Sequence, residues 1–166
     1  MSTQVRAPAH FSVNLAQLKL IGVENPLSPG AVELYDVHGL STQDRLFFCL
    51  WHNTNLRTRV FGPGDRISVR GDRVHFAQVV LSGRMEASDE QNNFTFGAGS
   101  VIGLAEGMAT LPHSFTVTAM STVTTRFIRI DDAQDALVGI NAGLRGICRT
   151  AIARTLGLKE IPENLK

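Results

Sequence analysis

The chain of 166 residues and 18.0 kDa is long enough for one domain of ordinary size and too short for a multidomain enzyme. Hydrophobic residues make up 43% of the chain and charged residues 19%, which excludes a disordered or fibrous protein and indicates a packed core. The 16 Lys and Arg nearly balance the 15 Asp and Glu, so the formal net charge of +1 argues against broad nucleic-acid binding.

The cysteines and the N-terminus predict the compartment. Cys49 and Cys148 lie far apart without a CxxC motif, and the N-terminus has no basic segment followed by an apolar run. No apolar stretch approaches the ~18 residues that a membrane span requires. We therefore expect a cytoplasmic protein without membrane contact, in which both thiols are buried fillers of the core.

The first 40 residues carry two competing patterns. Phe11, Val13 and Leu15 alternate as in a strand. In the same segment, Leu15, Leu18 and Ile21 follow helical spacing. The sequence leaves the structure of this N-terminal segment open.

The next segment predicts a helix over residues 42–52. The run Ser41-Thr42-Gln43-Asp44 is typical of a helix start, and apolar residues follow it at helical spacing. Cys49 and His52 share one face of this helix, where a thiolate–imidazole pair is the alternative to a small buried hydrophobe. The buried thiol is the favoured interpretation, because cysteine inside a protein usually behaves as a hydrophobe.

Residues 57–130 have the pattern of a β-structure. Short apolar runs rich in Val, Ile, Phe and Thr alternate with turn residues, as in a sandwich or barrel. Turns are expected at 62–65, 70–72, 82–83, 89–93, 97–99 and 111–112. The strands between these turns are expected to be about four to eight residues long.

Beyond residue 130 the pattern returns to helix. Asp131 and Asp132 suit a helix start, and a pause at 141–143 separates this helix from a second one that ends at Gly157. The second helix carries an apolar stripe: Leu144, Ile147, Cys148, Ala151, Ile152 and Leu156. The predicted organisation is an undecided segment 1–40, a domain 41–156 with a β-roll over about 57–130 and helices over about 132–156, and a tail 157–166.

Five motifs follow one another along the β-structure. They are Gly64-Asp65-x-Ile67, Arg70-Gly71-Asp72, Val79 to Met85, Phe96 to Gly103, and Pro112 to Ala119. In order and spacing they resemble the cyclic nucleotide-binding domain of catabolite-activator-type regulators and of kinase regulatory subunits. The resemblance covers residues 41–156 and implies a mainly β fold with flanking helices, an eight-stranded jelly roll or double-stranded β-helix.

The resemblance also implies a ligand site between the turn at Gly103 and the strand after Pro112. Its ligand-binding residues would be Gly103, Leu104, Ala105, His113, Ser114, Phe115 and Thr116. The backbone amides of 103–105 and the Ser114 hydroxyl would hold an anion at a helix N-terminus, while Leu104 and Phe115 would select a body more apolar than ribose.

The sequence departs from the family at the charged positions of this site. The family carries Glu directly after the glycine and Arg ahead of the strand, where this chain has Leu104 and His113. Phe115 stands where the family usually carries Ala, so its bulk could fill the site. Glu106 is expected to face solvent. Losing two charge-assisted hydrogen bonds costs about 3–6 kcal/mol, which weakens binding about 10²–10⁴-fold.

These observations are compatible with three functions. The favoured one is a stand-alone, non-catalytic sensor or regulatory domain that binds cAMP or cGMP weakly or prefers another small anion, with no cofactor and no metal. The alternative is a ligand-free roll that forms a homodimer or docks a partner protein through the C-terminal helix. A metal-dependent β-roll enzyme is disfavoured, because His75 is the only histidine among the strand residues while His38 and His52 lie outside the roll. No direct DNA binding is expected, since no helix-turn-helix segment follows the last helix.

Overall fold

The computed structural model describes residues 11–16, 41, 43–44, 47, 50, 57–139 and 142–160. Its strands are β1 (Arg57–Phe61), β2 (Arg66–Ser68), β3 (Phe76–Ser82), β4 (Met85–Ser88), β5 (Asn93–Phe96), β6 (Val101–Ile102), β7 (Thr116–Ala119) and β8 (Val123–Arg129). A short helix α1 (Leu104–Met108) follows β6, and the helices α2 (Ile130–Gly139) and α3 (Ala142–Leu156) follow β8.

The strands form two antiparallel sheets of four strands each. One has the order β1-β8-β3-β6 and the other β2-β7-β4-β5. The crossed strand order and the helices at one side are those of a jelly roll. The predicted mainly β, eight-stranded roll with flanking helices is therefore confirmed.

The predicted turns lie between the strands, but two strands are shorter than expected. β2 has three residues because its register against β7 shifts between Arg66 and Ser68. β6 has two residues because Gly103 adopts φ +81° and α1 begins directly after it. The expected length of about four to eight residues was wrong for these two strands, since a bulge and a tight strand-to-helix turn end the ladders early.

The core has two parts on either side of the first sheet. Residues 77–80 of β3 are buried on both faces. Ala77 and Val79 pack with the helices, whereas Val80 packs between the two sheets. The buried side chain of Gln78 is satisfied by Thr125 of β8, whose hydroxyl donates to Gln78 Oε1 at 2.9 Å. Strand β3 therefore joins the sandwich to the helical side of the molecule.

The N-terminal segment joins this structure at β6. Ser12 forms an antiparallel bridge with Ser100, and the neighbouring side chains of Phe11 and Val13 are buried in the core. The strand-like alternation is thus correct at residues 11–13, whereas the chain is helical at Leu15 and Ala16. Leu18 and Ile21, which carried the helical pattern further, lie outside the described residues.

The predicted capping arrangement at residue 41 is confirmed. The Ser41 backbone N–H donates to the Asp44 carboxylate at 3.2 Å, and the Asp44 N–H donates to Ser41 Oγ at 3.1 Å. Phe47 and Leu50 are helical and buried in the core. Cys49 and His52 lie outside the described part of the chain, so the thiolate–imidazole alternative stays a prediction.

The C-terminal helices pack on the first sheet and on α1. α2 has Asp131 and Asp132 in its first turn, as expected, and α3 is followed by Gly157 at φ +66°. The break between the two helices was predicted at residues 141–143, and its predicted end was wrong because α3 already begins at Ala142. In the described part of the chain no helix combines the length and apolarity that a membrane crossing demands.

The apolar stripe of α3 belongs to the core of the molecule. Cys148 and Ile152 are fully buried, and Ala151 is buried beside them in the cluster that contains the residues of α1. The expectation that this stripe pairs two copies or docks a partner is corrected for these residues, because side chains packed inside one chain offer no surface to another.

Candidate ligand-binding site

The turn at Gly103 sets the geometry of the site. Its φ of +81° is in the left-handed region that favours glycine. A Cβ at this position would lie 3.0 Å from Val74 Cγ1, 3.1 Å from His113 Cε1 and 3.1 Å from the carbonyl oxygen of Phe76. The absence of a side chain therefore allows the turn to approach the His113 ring closely.

Helix α1 is anchored below this turn by buried side chains. Leu104 and Met108 are fully buried in the core, and Ala105 is 1% exposed. Gly107 packs against Ile130 so closely that a Cβ there would overlap the Ile130 side chain. The α1 helix is thus held rigidly between the roll and α2.

The segment that follows Pro112 is fixed by hydrogen bonds to the other side of the site. The His113 N–H donates to the Asp72 carbonyl at 2.9 Å, and the His113 carbonyl accepts from the Gly71 N–H at 3.0 Å. The Phe115 carbonyl accepts from Ser68 Oγ at 3.0 Å. These bonds fix the backbone of the segment, and the His113 ring lies beside the turn at Gly103.

A cavity of about 310 Å³ lies between these elements. Five of the seven residues predicted from the sequence line it: Gly103, Ala105, His113, Ser114 and Phe115. Its volume is at the lower end of the range of small-molecule sites, about 300–1,000 Å³. The remaining walls come from β6, from Phe11 and from the end of α3.

Two of the predicted site residues, Leu104 and Thr116, do not line the cavity. Leu104 is fully buried in the core and does not line the cavity, so the expectation that it selects the ligand is corrected. Thr116 also lies off the cavity wall, because its Oγ1 accepts the N–H of Arg70 at 3.1 Å.

Glu106 is the main correction to the site. It was expected to face solvent, yet its half-buried side chain lines the cavity. The expectation placed Leu104 on the cavity side of α1. Because Leu104 is instead buried in the core, Ala105 and Glu106 are the residues of α1 that line the cavity.

Phe115 narrows the cavity without filling it. Its ring makes an edge-to-face contact with Phe94, with ring centroids 6.2 Å apart. That contact holds the ring against the second sheet and leaves the cavity beside it. The expectation that its bulk could fill the site is therefore corrected.

The end of α3 belongs to the cavity wall, although the sequence did not predict it as part of the site. Thr155, Leu156 and Gly157 line the cavity, and Thr155 Oγ1 accepts a hydrogen bond from Gln43 Nε2 at 3.2 Å. No spacing in the sequence links these residues to Gly103. The burial of Phe11 could be predicted from the sequence, because Phe11 and Val13 alternate as on the buried face of a strand.

The electrostatics of the cavity depend on Glu106 and His113. Burial lowers the pKa of His113 below its usual value of 6.5, and His75 lowers it further. The carboxylates of Glu106 and Asp72 oppose this shift without cancelling it. His113 is therefore neutral at pH 7, and it supplies no positive charge to the cavity.

The other chemical candidates have structural roles. Within the described ranges, no group of three or more His, Cys, Asp or Glu is arranged to hold a metal ion. Asp131 lies 3.5 Å from Arg129 in an exposed ion pair at the start of α2. Cys148 is buried, as predicted, among the apolar residues of α3.

Comparison with known proteins identifies the fold. The sequence matches no protein-family model and no curated protein. A regulatory subunit of a cAMP-independent protein kinase A from Trypanosoma brucei is similar in structure, with a TM-score of 0.54 at 18% identity over 87% of this chain and 45% of that one. The cAMP-bound PfPKA-R fragment has a TM-score of 0.51 at 13% identity over 91% of this chain and 48% of that one.

A cGMP-bound form of the EAL enzyme Bd1971 is also similar, with a TM-score of 0.53 at 15% identity over 61% of this chain and 29% of that one. In each of these three comparisons the chain spans less than half the length of the known protein. At such identities the likeness concerns the fold alone. The fold is that of the cyclic nucleotide-binding β-roll.

Proposed function

We propose that this chain is a non-catalytic regulatory domain of the cyclic nucleotide-binding kind, whose altered cavity binds cAMP and cGMP weakly. The fold supports this, since similar structures include cAMP-bound and cGMP-bound proteins. The similar Trypanosoma brucei subunit belongs to a kinase described as cAMP-independent. This fold is thus also present in a protein whose kinase does not depend on cAMP.

The observation that carries the proposal is the position of the cavity. It lies between the turn at Gly103 and the residues that follow Pro112, where the resemblance places the ligand, and the end of α3 closes it. A ligand in this position touches the roll and Leu156 together. Because α3 packs on α1 as well, occupancy of the cavity would change the packing of the C-terminal helix, which gives the domain a regulatory output.

Weak binding of cyclic nucleotides follows from the side chains present. The position of the family's ribose-binding glutamate is held by Leu104, which is buried in the core, and that of the phosphate-binding arginine by His113, which is neutral at pH 7. Two missing charge-assisted hydrogen bonds cost about 3–6 kcal/mol. A site with a dissociation constant of about 1 μM would thereby become one of about 0.1–10 mM.

The proposal is tested by titrating the ¹⁵N-labelled protein with cAMP and cGMP up to about 20 mM and following amide shifts. We expect shifts confined to Gly103, Ala105, Ser114 and the 155–157 segment, with dissociation constants in the millimolar range. The variant Ser114→Trp should abolish them, because the indole would occupy the cavity. Ser82→Trp places the same ring on an exposed strand end and serves as the matched control.

Two results would contradict the proposal. Micromolar affinity would mean that the cavity still recognises the sugar-phosphate ring. Shifts that are absent from the cavity residues at the highest nucleotide concentration would favour the ligand-free roll.

A further inference from the structure

The charge of the cavity wall is opposite to the one that a phosphate requires. Glu106 is the only Asp, Glu, Lys or Arg among the described residues that line the cavity. Glu106 is half-buried and lines the cavity together with apolar residues of β6 and β7. A ligand that displaces water from this carboxylate must supply a hydrogen-bond donor or a positive charge, because an unpaired buried charge is costly.

Among the described residues that line the cavity, none places a positive charge beside Glu106. His113 faces the same cavity but is neutral at pH 7, and helix α1 is too short for its peptide dipoles to add up to a strong positive end. The preference for an anion stays a prediction, and the charge of the described lining residues argues against it. A phosphate held here would lie beside a carboxylate with no cation among the described lining residues.

The nearby arginines are directed elsewhere. Arg70 forms an exposed ion pair with Glu90 at 2.7 Å. Arg73 and Arg129 line a separate groove, together with Leu111 and Pro112, that shares no described lining residue with the cavity. The positive charge of this region thus lies outside the cavity.

The rest of the wall is largely apolar, with four hydroxyl groups on Ser68, Ser100, Ser114 and Thr155. Phe11, Phe96 and Phe115 contribute three phenyl rings, and Leu156 closes the side formed by α3. Two of the hydroxyl groups are already used, since Ser68 donates to Phe115 and Thr155 donates to Ala151. Such a wall favours a ligand with an apolar body and few polar groups.

Building on the proposed function, we infer that the cavity takes an organic cation, an apolar ring or chain with a protonated amine that lies against Glu106. The amine would pair with the carboxylate, and the apolar body would lie among the phenyl rings. The Ser114 hydroxyl provides a further hydrogen-bonding group at the same wall.

The inference is tested with three probes that share one ring and differ in charge: 1-naphthylmethylamine, 1-naphthalenemethanol and 1-naphthoate. Their affinities for the protein are measured at pH 7.5 by amide shifts. We expect the amine to bind at least about tenfold more tightly than the alcohol and the carboxylate to bind least tightly, as a charge-assisted contact predicts. Shifts at Ala105, Glu106 and Phe115 locate each probe in the cavity.

The variant Glu106→Gln isolates the charge, because glutamine keeps the size of the side chain. It should bring the amine and the alcohol to within about twofold of each other. Glu86→Gln removes a half-buried carboxylate on β4 that does not line the cavity, so it should preserve the wild-type order.

The outcomes separate the inference from the proposed function. A carboxylate probe that binds as tightly as the amine, or an amine preference that survives in Glu106→Gln, would overturn the inference while the cavity remained a ligand site. If no probe and no cyclic nucleotide shifts the cavity residues, the proposed function fails as well.

Discussion

At the scale of single residues, Gly103 decides how closely the strand-to-helix turn approaches the opposite wall of the cavity. Its left-handed backbone and the contacts near 3 Å that a Cβ would make are separate constraints. Gly64 has a similar φ of +89° but open space where its Cβ would be. Comparing substitutions at Gly64 and Gly103 therefore distinguishes the cost of the backbone conformation from the cost of crowding.

We expect Gly64→Ala to lower the free energy of unfolding by about 1–2 kcal/mol, which is the cost of a left-handed conformation for a residue with a Cβ. Gly103→Ala should lower it by about 2–4 kcal/mol, because crowding against Val74 and His113 adds to that cost. Urea unfolding of both variants measures the difference. Equal losses would show that crowding at Gly103 is relieved by small movements.

For single residues, the predicted members of the site can be compared with their positions in the structure. Gly103 and His113 were identified by motif order. The structure places His113 Cε1 3.1 Å from the point where a Cβ on Gly103 would lie. Glu106 was missed because Leu104 was expected on the cavity side of α1, whereas Leu104 is buried in the core and Glu106 lines the cavity. Leu104 was misplaced because the motif gives an order of residues and not the direction of a side chain.

At the scale of elements, α3 has one face in the core and one end in the cavity wall. The face was recognisable from its spacing, since Cys148, Ala151 and Ile152 recur three or four residues apart. The sequence did not specify whether that face packs inside the chain or against a second copy. The structure places it against the residues of α1.

We expect Ile152→Asp to unfold the protein or lower its free energy of unfolding by about 4 kcal/mol or more, because it buries a carboxylate in the core. Val138→Asp is the control on α2, where the native side chain is 73% exposed, and it should change stability by less than about 0.5 kcal/mol. Circular dichroism with sedimentation measures fold and mass together. A folded Ile152→Asp protein of smaller mass than the wild type would instead identify the stripe as an interface.

At the scale of the whole molecule, the burial of His113 links stability to pH. Its pKa is lowered in the folded state, so the unfolded chain binds a proton first as the pH falls. The contribution of His113 to stability is complete above its unfolded pKa of about 6.5 and is lost as the pH falls through the lower folded value. Glu106 and Asp72 reduce this effect, and His75 increases it.

We expect the wild type to lose more unfolding free energy than His113→Gln between pH 7.5 and pH 5, with a difference in slope of at most about 1.4 kcal/mol per pH unit. Urea unfolding at several pH values measures this difference, and the remaining ionisable groups cancel in the comparison. Glu106→Gln should steepen the dependence, because it removes a carboxylate that favours protonation of His113. Parallel curves for wild type and His113→Gln would contradict the assignment.

The sequence by itself determined the class of the fold, the turns of the roll and the helices around it. These features depend on local patterns: alternating apolar residues, glycine at reversals and capping side chains, all of which act between residues close in the chain. The capping pair at Ser41 and Asp44 and the turns between the strands are examples.

Only the tertiary structure decided the chemistry of the cavity. Its walls come from Phe11, from the Gly103 turn, from the residues after Pro112 and from the end of α3, which are distant in sequence. The direction of Glu106, the burial that keeps His113 neutral and the closure by Leu156 depend on packing between these segments. Since local patterns carry no record of such long-range contacts, the charge of the wall could be known only after the chain was folded.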